Sequence, residues 1–219
     1  MKNIIIFGSG GHASVLVDIV SKEKKYQIIG CIDNQARKKE NLGFPYLGEI
    51  NNLHRIIATN EIYGGIIAIG DNAVRSNLST EIINQVPDFR FVNCIHPDSV
   101  IGLNVEIGEG NAIMAGAIIN TNTIISDHCI LNTNSSLDHD CKMLNFSSIA
   151  PNATVGGNCE IGEHSAIGIG SNILHNISVG SNCIIGGGSL IVSNTEDDAV
   201  YYGSPAKFVR RHELGSKYL

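Results

Sequence analysis

A small Rossmann-like α/β unit followed by a parallel β-helix of six-residue repeats is the architecture this sequence predicts, on three observations. The first 95 residues alternate short apolar runs with helix-like stretches. From residue 101 every sixth position is aliphatic. The two rhythms meet at Ile95-His96-Pro97, which marks the junction.

In the first region, residues 4–7, 28–32, 66–69 and 91–95 read as strands, and 13–20, 53–58 and 74–86 as helices. Short apolar strands alternating with helices imply a parallel sheet with helices on both faces. The length suits half of a dinucleotide fold. In the second region the aliphatic series runs Ile101, Ile107, Ile113 and onward to Ile191 for sixteen consecutive hits, with Leu131, Leu137, Met143, Val155 and Val179 as its variants. Four positions after each aliphatic stands mostly a small residue, such as Ala117, Cys129, Ser135 or Ala153. A six-residue period gives coils of three hexads, about eighteen residues, with aliphatics stacked inside and small residues at tight corners. The expected domains are therefore 1–95, 96–200 and a charged tail, 201–219.

The bulk numbers exclude several function classes. With 219 residues and 43% apolar content the chain can bury real cores. A net charge of −6 without any Lys or Arg block argues against nucleic acid as a partner. The first apolar run is too short for a signal-peptide core or a membrane span, which gives a cytoplasmic expectation with no membrane association. Six cysteines contain no C-x-x-C pair, and four share the small-residue slot of the hexads, so buried thiols fit better than disulfides or zinc.

Two places carry chemistry. Gly8, Gly10 and Ala13 fit G-x-G-x-x-A between a strand and a helix, where free N–H groups and the helix dipole favour an anion. Asp33 closes the next strand, twenty-three residues after Gly10, at the distance where such an acid holds ribose hydroxyls. Dinucleotide binding is the rival reading, but a β-helix replaces the second mononucleotide half. In the β-helix, hexad register places His139, Gly157 and His175 eighteen residues apart on one edge. Gly157 leaves room where a side chain would crowd the imidazole. Gly186, Gly187 and Gly188 let a ligand approach the backbone, or serve tight corners.

The opening Ile6-Phe7-Gly8-Ser9-Gly10-Gly11-His12-Ala13, the junction Ile95-His96-Pro97 and the hexads closed by Gly203-Ser204-Pro205-Ala206-Lys207 together resemble the sugar O- and N-acetyltransferases. That family includes sialic acid O-acetyltransferases and UDP-4-amino-sugar N-acetyltransferases of the bacillosamine type. The resemblance covers nearly the whole chain. It implies a left-handed coil, a homotrimer with acetyl-CoA in clefts between subunits, and no metal. It implies that the N-terminal unit takes the nucleotide of a sugar substrate, with the diphosphate near Ser9, Gly10, Gly11 and His12. Gly70, Asp71 and Arg75 then lie nearby, although a strand exit and a helix N-cap explain the same residues.

Within Ser136-Leu137-Asp138-His139-Asp140-Cys141 the resemblance implies that His139 is the general base and Asp140 its orienting carboxylate, with Asp138 a competitor for the second role. Ser148 stands where some relatives carry a second His near the acetyl group. With Gly157, His175, Gly187 and Lys207 it completes the expected acetyl-CoA contacts. The implied reaction is direct N-acetylation of a nucleotide-linked, UDP-preferred, 4-amino-4,6-dideoxy sugar for a bacterial surface glycan. The alternatives are O-acetylation of a sialic-acid-like sugar, a zinc enzyme like the hexad-built carbonic anhydrases, and a non-catalytic scaffold. The zinc enzymes carry two His five residues apart, a spacing absent from this sequence.

Overall fold

The structure, a computed structural model, describes residues 1–34, 40–41 and 43–216. It divides into two compact units, Met1–Pro97 and Asp98–Leu219.

The first unit is built on a five-stranded sheet. Its elements in order are β1 (Lys2–Phe7), α1 (Gly11–Glu23), β2 (Tyr26–Ile32), β3 (Glu40–Asn41), β4 (Phe44–Gly48), α2 (Leu53–Asn60), β5 (Gly64–Ile67), α3 (Asn72–Gln85) and the short β6 (Cys94–Ile95). The sheet order is β3-β4-β2-β1-β5, parallel except for the β3–β4 hairpin. β1 lies between β2 and β5, and its run of isoleucines is buried on both faces, as a covered parallel strand requires. Ile5 and Phe7 share one core with Leu53 and Ile56 of α2 and Ile82 of α3. Side chains alternate along a strand, so Ile4 and Ile6 face the other way, the side sealed by Ala13, Leu16, Ile19 and Val20 of α1. Of the expected strand over 91–95, the structure keeps β6 and a single parallel bridge from Gly65 to Phe91. None of the described helices is long and apolar enough to cross a membrane.

The second unit is a parallel β-helix. Each coil lays down three two-residue strands, and each strand pairs with the one eighteen residues later. One sheet runs Ile101, Ile119, Leu137, Val155, Ile173 and Ile191 in register, so six strands enclose five coils. The other two sheets stack Ile107 to Val179 and Ile113 to Ile185 in the same way. Every aliphatic of the hexad series is the second, inward residue of its strand. From Ile113 onward all are buried.

The corners divide their work between two hexad positions. The small residue four after the aliphatic is buried inside the corner; Ala117, Cys129, Ser135, Cys141 and Ala153 are all sealed there. The residue before it carries the positive φ: Asn104, Asn122, Asn134, Asp140, Asn152, Asn158 and Asn176 all lie between 55° and 60°. Asn and Asp enter this region at the least cost after Gly, which explains their recurrence at that slot. The charged tail forms strands. Ala199–Gly203 continues the third sheet beside Ile184–Ile185, then folds back on Ala206–Arg211 as an antiparallel hairpin.

Candidate active site and a cavity in the first unit

In the β-helix, Asp138 follows the strand Ser136–Leu137, and the corner after it presents His139 outward. Asp140 occupies the positive-φ slot at 57°, which turns its carboxylate back beside the imidazole. His139 Nδ1 lies 2.7 Å from Asp140 Oδ2. Asp138 is otherwise engaged: its Oδ1 accepts from the His139 backbone N–H at 2.9 Å and from Asn120 Nδ2 at 2.7 Å. The geometry thus separates the two acids that sequence left in competition. Asp140 meets the ring, whereas Asp138 pins the backbone.

These contacts set the electrostatics. The Asp140 hydrogen bond, with the Asp138 charge behind it, raises the His139 imidazole above its ordinary 6.5. The same bond holds Asp140 below the usual carboxylate range, as the His139 N–H does for Asp138. With Nδ1 turned to Asp140, Nε2 is the nitrogen left to accept a proton.

One coil above, Gly157 stands on the same edge. A Cβ there would lie 2.6 Å from His139 Nε2 and 2.7 Å from Cε1, so only glycine leaves the ring where it is. Gly157 N–H donates to no group among the described residues, while its neighbours Gly156 and Asn158 bond Ile173 O and His139 O. His175 follows on that edge, exposed, with Asn176 N–H donating to Gly157 O at 2.9 Å. The expected column His139, Gly157, His175 is therefore present.

Other expected acetyl-CoA contacts stand elsewhere on this unit. Ser148 belongs to another sheet, between Ile130 and Ala166. The glycines after Ile185 turn a different corner. Gly186 is covered by the Tyr202 ring, which a Cβ would overlap, and Gly188 carries the corner's positive φ of 67°. Gly187 has only Ile169 backbone near its Cβ position. Lys207 sits in the terminal hairpin opposite Tyr202, exposed.

In the first unit, β1 ends at Phe7 and Gly8 turns the chain with φ +107°, its N–H donating to Ile32 O. A Cβ at Gly8 would press on Ala68 O at 3.1 Å. Gly10 caps α1 and Gly11 opens it; neither position has a neighbour within 4 Å of a built Cβ, so the backbone there is open to a ligand. Ser9 Oγ donates to Asp33 Oδ2 at 2.5 Å, which joins the two predicted nucleotide elements. Beside them lies a cavity of about 380 Å³ lined by Phe7, Gly8, Asp33, Asn34, Asn77 and Glu81 among others, at the carboxyl ends of β1 and β2. Crevices at that end of a parallel sheet are where such folds hold ligands.

Of the remaining predicted residues, Arg75 and Asp71 have structural partners and His12 Nε2 has none among the described residues. Burial, reinforced by the Arg75 charge, pushes the His12 imidazole down to about 4, and its buried Nε2 meets no hydrogen-bond partner among the described residues. His12 is neutral at physiological pH. Arg75 is buried, donating Nη1 to Ile69 O and Gly70 O at 3.0 and 3.1 Å and Nη2 to Asn72 Oδ1 at 2.7 Å, so it fastens the β5–α3 loop. Asp71 caps α3 by accepting from Val74 N–H at 2.9 Å.

Sequence reasoning missed Asn34, Asn77 and Glu81. Asn77 and Glu81 are four apart, a helical spacing that places both on one face of α3, but nothing in the sequence says that this face lines a cavity. It also missed Asn120 and Asn122, whose signal is their eighteen-residue offset from Asp138 and Asp140. Among the described residues, no group of three His, Cys, Asp or Glu is placed to hold a metal.

Comparison with known proteins identifies the two domains. Residues 3–82 match the PglD N-terminal domain family, and residues 158–193 match the bacterial transferase hexapeptide family (six repeats). UDP-N-acetylbacillosamine N-acetyltransferase of Bacillus subtilis (strain 168) is 30% identical over 118 residues, which is 52% of each chain; the match thus spans about half the length of that relative. The crystal structure of PerB from Caulobacter crescentus in complex with CoA and GDP-perosamine superposes with a TM-score of 0.89 at 30% identity, covering 96% of this chain and 98% of that one. The acetyltransferase domain of PglB from Neisseria gonorrhoeae FA1090 in complex with acetyl coenzyme A gives 0.88 at 30% identity, covering 95% and 99%. On this likeness over almost its full length, the chain belongs to the sugar N-acetyltransferases that join a PglD-type N-terminal domain to a left-handed β-helix of hexapeptide repeats.

Proposed function

We propose that this protein transfers the acetyl group of acetyl-CoA directly to the amino group of a nucleotide-linked 4-amino-4,6-dideoxy sugar, with His139 as general base and UDP as the preferred nucleotide. The observation that carries the reading is the imidazole turned by Asp140 so that Nε2 faces open space beside Gly157. The amine attacks the thioester carbonyl, Nε2 takes its proton, and Asp140 stabilises the imidazolium that results. Gly157 N–H donates to the oxyanion, and collapse of the tetrahedral adduct expels the CoA thiolate. No covalent enzyme intermediate and no metal is needed. The cavity at the ends of β1 and β2 takes the nucleotide, with Asp33 toward the ribose and Ser9 to His12 toward the diphosphate.

His175 shares the edge of His139 and is assigned to the acyl-pantetheine arm. Ser148, Gly187 and Lys207 enter the reading as contacts from a neighbouring copy in a homotrimer. The relatives differ in nucleotide: the Bacillus subtilis protein is named for a UDP sugar and the Caulobacter crescentus complex contains a GDP sugar. Thiol release from acetyl-CoA, followed with UDP-linked and GDP-linked 4-amino-4,6-dideoxy sugars and free sialic acid, tests the assignment. Turnover with the UDP sugar is expected. Turnover only with the GDP sugar corrects the nucleotide, and turnover only with sialic acid overturns N-acetylation.

A further inference from the structure

Beneath the edge that carries Asp138, His139 and Asp140, the preceding coil presents Asn120, Thr121 and Asn122 in register, residue under residue. Asn120 Nδ2 donates to Asp138 Oδ1 at 2.7 Å, and Asn122 Nδ2 to Asp140 Oδ1 at 3.2 Å. A coil lower, Asn104 Nδ2 donates to Asn122 Oδ1 at 3.1 Å. Asn104, Asn122 and Asp140 share the same positive φ, 58°, 59° and 57°, so their side chains leave the corner in parallel and form a ladder. The ladder has a direction. An ionised carboxylate only accepts, so Asn122 must turn its NH₂ upward, which leaves its oxygen facing down for Asn104. Above Asp140 a separate rung begins, with Asn158 Nδ2 donating to Asn176 Oδ1 at 2.7 Å.

The two Asp140 oxygens are thereby given different duties. Oδ1 is held by Asn122 and Oδ2 by His139 Nδ1. Asp140 is about half exposed, and without the lower bond its carboxylate would be free to rotate away from the ring into water. We propose that Asn122, with Asn120, is a positioning residue for acetyl transfer: the two amides clamp the acids on either side of His139, and the Asn104–Asn122–Asp140 ladder fixes the carboxylate that aims the imidazole. This rests on His139 being the base.

The groups facing His139 are Asp138 and Asp140 on its own coil, Asn120 and Asn122 below, and Gly157, Asn158 and, beyond them, His175 above. The test uses two variants at position 122 that both tolerate the positive φ, so that the corner itself is kept. Asn122→Gly deletes the donor. Asn122→Asp keeps the shape but sets a second carboxylate against Asp140. In Asn122→Gly, kcat is expected to fall about tenfold with KM within about twofold, and the acidic limb of the pH–rate profile to move to lower pH. In Asn122→Asp, kcat falls and the limb moves to higher pH, because added negative charge favours the imidazolium. A role in folding alone would not move the limb in opposite directions.

In an Asp140→Asn background, Asn122→Gly should change kcat by less than about twofold, since the ladder then ends on nothing that aims the ring. Wild-type rates and profiles in both position-122 variants, or an undiminished loss in the Asp140→Asn background, overturn the proposal. Should Asn122→Asp fail to fold by circular dichroism, the Asn122→Gly cycle decides alone. His139→Ala separates the two levels. If it keeps full turnover, the base assignment itself is wrong; if it is inactive while the position-122 variants are normal, only the clamp is wrong.

Discussion

Replacing Gly157 by Ala puts one methyl group against the His139 ring. The Cβ would lie 2.6 Å from His139 Nε2, and an ordinary contact begins near 3.4 Å, so the imidazole must move by about 0.8 Å or rotate off Asp140. The ring is exposed and gives way easily, which means that the change falls on geometry rather than on the fold. Gly157 has no positive φ, so alanine fits its backbone and trims the freedom of the unfolded chain, a gain of up to about 1 kcal/mol. A displacement of roughly 1 Å at a reacting group costs on the order of 100-fold. The expected variant therefore melts at or slightly above the wild-type temperature by circular dichroism, yet loses about two orders of magnitude in kcat/KM by thiol release. Gly156→Ala is the contrast, since its Cβ meets His175 backbone at 2.8 Å and must push a whole coil aside. Wild-type turnover in a folded Gly157→Ala variant would refute both the placement of the ring and its use as base.

Other outcomes follow from the same geometry. His139→Ala should lower kcat by about 10² to 10⁴ with little change in KM, measured under saturating acetyl-CoA. Because Asp140 and Asp138 raise the His139 imidazole above 6.5, kcat/KM should fall as pH drops through that raised value, and Asp140→Asn should carry the acidic limb to lower pH in a rate–pH titration. An unmoved limb would contradict the pairing. Gly8→Ala combines a φ of +107° with a close Ala68 carbonyl, so it should cost the first unit about 1–3 kcal/mol in a urea melt and weaken nucleotide binding by calorimetry. Leu137→Ala, wholly buried on the coil that carries His139, should cost about 2–5 kcal/mol, with activity lost in step with structure.

Much of the fold was legible because the hexads keep phase. Sixteen aliphatics at one spacing leave a single way to stack, and the eighteen-residue register follows by counting. That register also placed Gly157 and His175 on the edge of His139 before any coordinates. The β3–β4 hairpin was not legible, since Pro45 and Gly48 argue against a strand in Phe44–Gly48; its pairing with β2 is a tertiary gain. Arg75 and Asp71 read equally as ligand contacts or as loop and cap residues, and the structure gives both such partners.

The sequence by itself determined the two units, the β-helix period and the edge shared by His139, Gly157 and His175, because each follows from a repeat distance along the chain. Tertiary structure decided what depends on side-chain direction. The positive φ at the slot three after each aliphatic turns Asp140, rather than Asp138, toward the imidazole, and brings Asn122 beneath it. A backbone dihedral at a corner is not a spacing, and only the folded coil shows which of two neighbouring carboxylates it aims at the ring.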